Sequence, residues 1–138
     1  MKMEQSIIIA RPVASVFAHR ASLEDARKWQ TEVLETELAS VAPIAVGTQG
    51  TERRREAKEQ MSDWAIEVTE FELNRVLGIV RRCGPVQIRE RHVFIADEKN
   101  TRYTAQVEMT GSPLPAAAFH RRTVEALTRF KWWIEGQA

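Results

Sequence analysis

Cysteine is almost missing from this chain. Cys83 stands alone, so an internal disulfide and a cysteine-built metal centre are both excluded. No apolar run approaches the roughly 18 residues of a membrane span. The opening "MKMEQSIIIARP" carries a charge and then too short an apolar stretch for a secretory leader. Surplus charge is lacking too: twenty basic against nineteen acidic residues leave a formal net charge of +1. That balance gives no ground for nucleic acid as a partner or for stable membrane insertion. The three histidines form no dense ligand pattern such as His-x-x-x-His, so neither a metal nor another cofactor is expected. Repeats, low-complexity segments and interdomain linkers are likewise absent. What remains is 138 residues, 43% hydrophobic and 28% charged, the size and balance of one globular domain. A single cytoplasmic domain over residues 1–138 is the expectation, with a homodimer left open.

Local patterns then divide the chain. "EQSIIIA" (4–10) reads as a strand, and Pro12 suits the first position of a following helix that carries Val13, Val16 and Phe17. Ser22 and Asp25 have capping-box spacing and open a second short helix ending near Trp29. Strands follow at 31–40, 47–57 and 60–72, the last two flanking a turn at 57–59. Further strands run over 75–83, 86–96 and 101–111, with turns at Asn74, Gly84-Pro85 and "DEKN". The final element spans Leu114 to Glu135, with Gly136 as its stop. On a helical wheel centred on Leu127, His120, Val124, Phe130 and Ile134 share the apolar side, flanked by Phe119, Ala126 and Trp133. Arg121, Arg122 and Arg129 lie opposite, and Trp132 falls at the edge. An antiparallel sheet must bury one face, and this helix is the only large apolar partner available. The expected fold is α+β: a curved antiparallel sheet of six to seven strands wrapped around the C-terminal helix, two short helices after the first strand. Such a grip leaves a cavity of roughly 300–1,000 Å³ in ligand-binding proteins.

Four stretches carry a family resemblance: "IIIARPVASVFAHRASLEDARKWQ", "VGTQGTERRR", "IEVTEFELNRVLGIVRRCGPV" and "ALTRFKWWIE". In that order they resemble the START-like superfamily (SRPBCC) of polyketide cyclases, lipid-transfer domains and birch-pollen-allergen-type proteins, with its helix-grip fold. The match spans nearly the whole chain. One departure is Asn100-Thr101, where many relatives carry Gly before the Thr; Asn also tolerates the left-handed conformation that such a turn needs. The resemblance implies a pocket protein, but relatives bind, carry, cyclise or hydrolyse, so the site residues must decide.

Strand alternation proposes those residues. Facing inward are Trp64, Ile66 and Val68; Leu77 and Ile79; Ile88, Glu90, His92 and Phe94; Tyr103, Ala105, Val107 and Met109. His120, Val124 and Leu127 would face them from the helix, and Trp29 would serve either as an entrance lid or as a core anchor. The leading expectation is a small hydrophobic or amphipathic guest, such as a lipid, aromatic or polyketide-like compound, bound without chemistry. One alternative is a cyclase or dehydratase using His92 and Glu90, with Tyr103, as acid and base. Another is a partner-binding or co-chaperone module acting through Trp132. His19 is expected to face water, and Cys83 to be a buried, inert thiol. "ERRRE" (52–56) reads as a solvated hairpin with salt bridges, Arg53 and Arg55 on one side and Arg54 on the other. The alternative has one of these arginines entering the cavity to pair with a carboxylate.

Overall fold

The computed structural model describes residues 1–137. The elements are β1 (Lys2–Ile9), α1 (Val13–Ala21), a 3-10 helix (Leu23–Lys28), β2 (Val33–Leu38) and β3 (Gln49–Arg55). After a short 3-10 turn (Ala57–Glu59) come β4 (Met61–Glu72), β5 (Val76–Cys83), β6 (Val86–Asp97), β7 (Asn100–Thr110) and α2 (Ala116–Glu135). All seven strands join one antiparallel sheet in the order β1-β7-β6-β5-β4-β3-β2. β1 and β2 are therefore opposite edges, and α1 with the 3-10 helix bridges them. The sheet bends around α2, which is the grip the patterning called for.

Curvature has local causes. A bulge between Val68 and Glu70 sharpens the twist of β4, and another between Val33 and Glu35 turns β2. Gly78 lies across from the first bulge, where a Cβ would come within 2.8 Å of Thr69 Oγ1 and 2.9 Å of Glu70 Cβ. Gly111, which leads the chain out of β7, has φ +78, and a Cβ there would lie 1.8 Å from the Pro85 carbonyl oxygen. Only glycine fits either place.

Three local expectations need correction. The left-handed residue of the β6–β7 turn is Glu98 (φ 56), while Asn100 already pairs with Asp97 as the first residue of β7. Ser22 Oγ donates to the Asp25 carboxylate at 2.9 Å, not in a capping box, because in this 3-10 turn the Asp25 N–H is taken by the Ser22 carbonyl. The last helix begins at Ala116 and not Leu114, since Pro115 holds extended geometry (φ −61, ψ 148) just ahead of it.

The interior has two parts. Under α1 and the C-terminal half of α2 it is solid: Phe17 meets Phe71 and Phe94 edge-on at 5.5 and 5.3 Å, beside Val68, Leu77 and Ile79. Polar ties fix this end of α2. Lys131 Nζ donates to the Ile8 carbonyl at 2.7 Å, and Glu135 accepts from the Ala10 N–H at 2.8 Å. Under the N-terminal half of α2 the interior is hollow.

Candidate functional site

The hollow measures about 820 Å³. Its walls are Trp64 from β4, Ile88 from β6, Ala105, Val107 and Met109 from β7, and Phe119, Thr123, Ala126 and Leu127 from α2. Its mouth lies among the β3–β4 turn, the β5–β6 turn and the Ser112–Pro115 segment, with exposed Ala57, Pro113 and Pro115 at the rim.

Between hollow and solid parts runs a layer of polar side chains. Arg20 enters from α1, where Val13, Val16 and Phe17 set an inward stripe and Arg20 takes its next position. Arg81 follows Leu77 and Ile79 on the inner face of β5, and Glu52 stands opposite Trp64 on β3. The three are almost fully buried, at 4%, 2% and 1% exposure. Glu52 Oε1 accepts from Arg54 at 2.6 Å and Arg81 at 3.2 Å. Arg81 also donates to Glu90, which accepts from His92 Nε2 at 2.8 Å and lies 3.4 Å from Arg20.

These partners assign the histidine tautomer. The Glu90 carboxylate requires an N–H at Nε2, leaving Nδ1 to accept from the Tyr103 hydroxyl at 2.7 Å. Tyr103 in turn accepts from Arg20 Nε at 3.2 Å. Burial and the neighbouring Arg20 push the His92 pKa down to about 4, so the ring is neutral at neutral pH. Burial alone would raise Glu90, but Arg81, the His92 hydrogen bond and Arg20 outweigh it and hold the carboxyl well below the usual range. Glu52 is likewise ionised, because Arg81 and Arg54 overcome its burial. Burial raises the Tyr103 hydroxyl, which stays protonated.

Of the residues proposed from sequence, the structure gathers Trp29, Trp64, Ile88, Glu90, His92, Tyr103, Ala105, Val107, Met109 and Leu127 around the hollow. Trp29 lies under the Arg20 guanidinium, 5.1 Å from centroid to Cζ, with its ring edge on Phe130. Ile66, Val68, Leu77, Ile79 and Phe94 point inward but do not reach the hollow, because the polar layer and α1 cover them; they are core. His120 is exposed and Val124 only half-buried, and neither lines the hollow. The helix is turned by roughly 50° from the expected centre toward Phe119 and Ala126, whose side chains face the space instead.

Other placements also differ from expectation. Cys83 is half-buried at the cavity wall, and His19 packs edge-on against Trp133 at 5.4 Å. The "ERRRE" hairpin is split. Arg53 pairs with Asp63 at the surface, whereas Glu52 is buried and Arg54 lines the cavity, because Arg54 shares the inward parity of Glu52. Trp132 is 68% exposed on the outer side of α2. Among the described residues no cluster of three His, Cys, Asp or Glu is placed to hold a metal ion.

Comparison with known proteins places this geometry. A family model described as polyketide cyclase / dehydrase and lipid transport matches residues 1–132. An aromatase/cyclase from Streptomyces superposes with a TM-score of 0.81 at 11% identity, over 98% of this chain and 93% of that one. Ara h 8.0201 gives 0.79 at 11% identity, over 99% of each chain. A START superfamily protein from Mycobacterium smegmatis gives 0.77 at 11% identity, over 98% and 94%. At such identities the likeness is one of fold. Among curated proteins no relative is detected by sequence.

Proposed function

Because the chain belongs to the polyketide cyclase / dehydrase and lipid transport family, we propose that it binds a small hydrophobic or amphipathic molecule between α2 and the sheet, without transforming it. The observation that carries this reading is the hollow of about 820 Å³ with apolar walls under the N-terminal half of α2. Interiors are normally packed to crystal-like density, and a space of this size is far beyond a packing defect. The described helices include none long and apolar enough to cross a membrane, and the reading takes the chain to act in the cytoplasm. N-phenyl-1-naphthylamine, a neutral fluorescent probe, should bind saturably with one site per chain. Ala105→Trp, which fills the hollow from β7, should abolish that binding while circular dichroism stays unchanged. Unsaturable binding, or binding that a folded Ala105→Trp variant retains, would contradict the proposal.

A second reading is supported by the hydrogen-bond chain Tyr103–His92–Glu90 at the cavity floor. Here the neutral His92 takes a proton through Tyr103, and Glu90 steadies the imidazolium that forms. Polyketide-like substrates are the class to assay, since the neighbours in fold include an aromatase/cyclase. This reading requires turnover that His92→Ala and Glu90→Gln both remove. Turnover that survives both substitutions counts against it.

A further inference from the structure

Charge in the cavity floor does not cancel. Its ionised groups form one alternating chain, Arg54, Glu52, Arg81, Glu90 and Arg20. Such a chain begins and ends in arginine, three cations against two anions, and leaves one positive charge over. His92, beside Glu90 and Arg20, is neutral and adds none. The cavity rim gives no net relief, since Arg55, Arg122 and Arg129 there are equalled in number by Glu32, Glu56 and Glu125, of which Glu32 and Glu125 both pair with Arg129.

The surplus falls on Arg20. At the other end of the chain Arg54 holds a carboxylate oxygen at 2.6 Å, and its side chain is 14% exposed. Arg20 has its carboxylate oxygen only at 3.4 Å, with a side chain 5% exposed. Nε of Arg20 is given to Tyr103 and Nη2 reaches Glu90 at 3.4 Å, beside the His92 Nε2–H at 3.1 Å, which cannot accept from it, while Nη1 makes no hydrogen bond among the described residues. Among the described residues Thr36 Oγ1 is the only side-chain polar atom both shut away and unpartnered, so Nη1 keeps some accessible surface, and Arg20 is one of the residues that line the cavity. The Trp29 ring beneath the guanidinium offers a quadrupole but no neutralising charge. A buried cation with idle donors favours an arriving anion.

We infer that the guest is an amphipathic monoanion, its carboxylate-type head on Arg20 Nη1 and its apolar body lying toward Met109, Phe119 and Leu127. This inference rests on the reading of the hollow as a binding site and narrows what that site takes. A neutral guest leaves Nη1 idle, and a cationic head meets like charge.

Isothermal titration of the full chain at neutral pH with decanoate, decan-1-ol and decyltrimethylammonium tests it, because the three share one tail. Decanoate should bind at least about tenfold tighter than decan-1-ol, with decyltrimethylammonium the weakest, and should displace N-phenyl-1-naphthylamine. Arg20→Gln should remove the preference for decanoate. Equal affinity for decanoate and decan-1-ol overturns the inference and leaves the apolar-cavity reading standing; binding of none of the three overturns the inference, and failure of N-phenyl-1-naphthylamine to bind as well overturns both. A folded Arg20→Gln variant that keeps the preference overturns the assignment to Arg20. The comparison in the unsubstituted chain needs no variant, so a misfolded Arg20→Gln does not remove the test.

Discussion

Arg81 shows how the polar layer is held at the scale of single residues. It is 2% exposed and donates to two carboxylates, Glu52 and Glu90, so its removal takes one of two arginine partners from each. Breaking a buried ion pair from one side costs far more than replacing the whole group, because a charge is left without its partner. Arg81→Met should therefore destabilise the chain by about 3–5 kcal/mol in urea unfolding. Glu52→Gln should cost less stability in the Arg81→Met background than in the unsubstituted chain, and equal costs would mean that the charges are not coupled. His92 makes the same argument through pH. Its folded pKa lies near 4 against an ordinary 6.5, so between those values the unfolded chain binds more protons and stability falls as pH drops. Glu52 and Glu90, both held low, add to the loss only as pH falls further, through the ordinary carboxylate range and toward their folded values. The His92 share is on the order of 3 kcal/mol between neutral pH and pH 4. His92→Gln should flatten that slope above pH 4.5, measured as the urea midpoint against pH; an unchanged slope would contradict the burial of a neutral ring.

At the scale of elements, α2 divides its work along its length. Phe130 is 1% exposed, with the Trp29 and Tyr103 rings edge-on at 5.1 and 5.6 Å, in the half tied to β1. Phe119 is also shielded from solvent but faces the hollow. Phe130→Ala should cost about 3–5 kcal/mol, whereas Phe119→Ala, which enlarges an existing space, should cost under about 2 kcal/mol and shift the preferred guest size upward. Equal losses in chemical denaturation would contradict the division. The same contrast explains what could be read from the sequence. Strand parity is rigid, so one correct anchor on β6 or β7 places Glu90, His92 and Tyr103 together. Extending that parity to β5 and β3 would have added Arg81 and Glu52, but charged residues in a run such as "ERRRE" look solvated until a partner is known. Arg20 carried a signal too, the helical spacing from Val16 and Phe17. The helix rotation was not legible. An apolar stripe wide enough to include Trp133 fits several orientations, and the aromatic bulk of Phe119 and Phe130 chose among them.

Over the whole molecule, the alternating layer separates a packed end that supplies stability from an open end free to admit a guest. The inward-facing residues of the β-sheet form one continuous pattern in sequence, yet Val68, Leu77 and Ile79 serve the first end and Ile88, Val107 and Met109 the second. No local pattern marks that border, because it is set by α1 crossing the sheet and by where Arg20 reaches. A bound guest should also stabilise the fold by mass action, about 2.7 kcal/mol at a hundredfold excess over Kd, visible as a rise in Tm. The most direct measurement is methyl NMR during titration with N-phenyl-1-naphthylamine. The Ile88, Ala105, Val107, Met109 and Leu127 signals should move together and saturate, while Val68, Leu77 and Ile79 stay in place. Shifts confined to the exposed Ile8 and Ile95, or spread through the packed end, would contradict a guest held under the N-terminal half of α2.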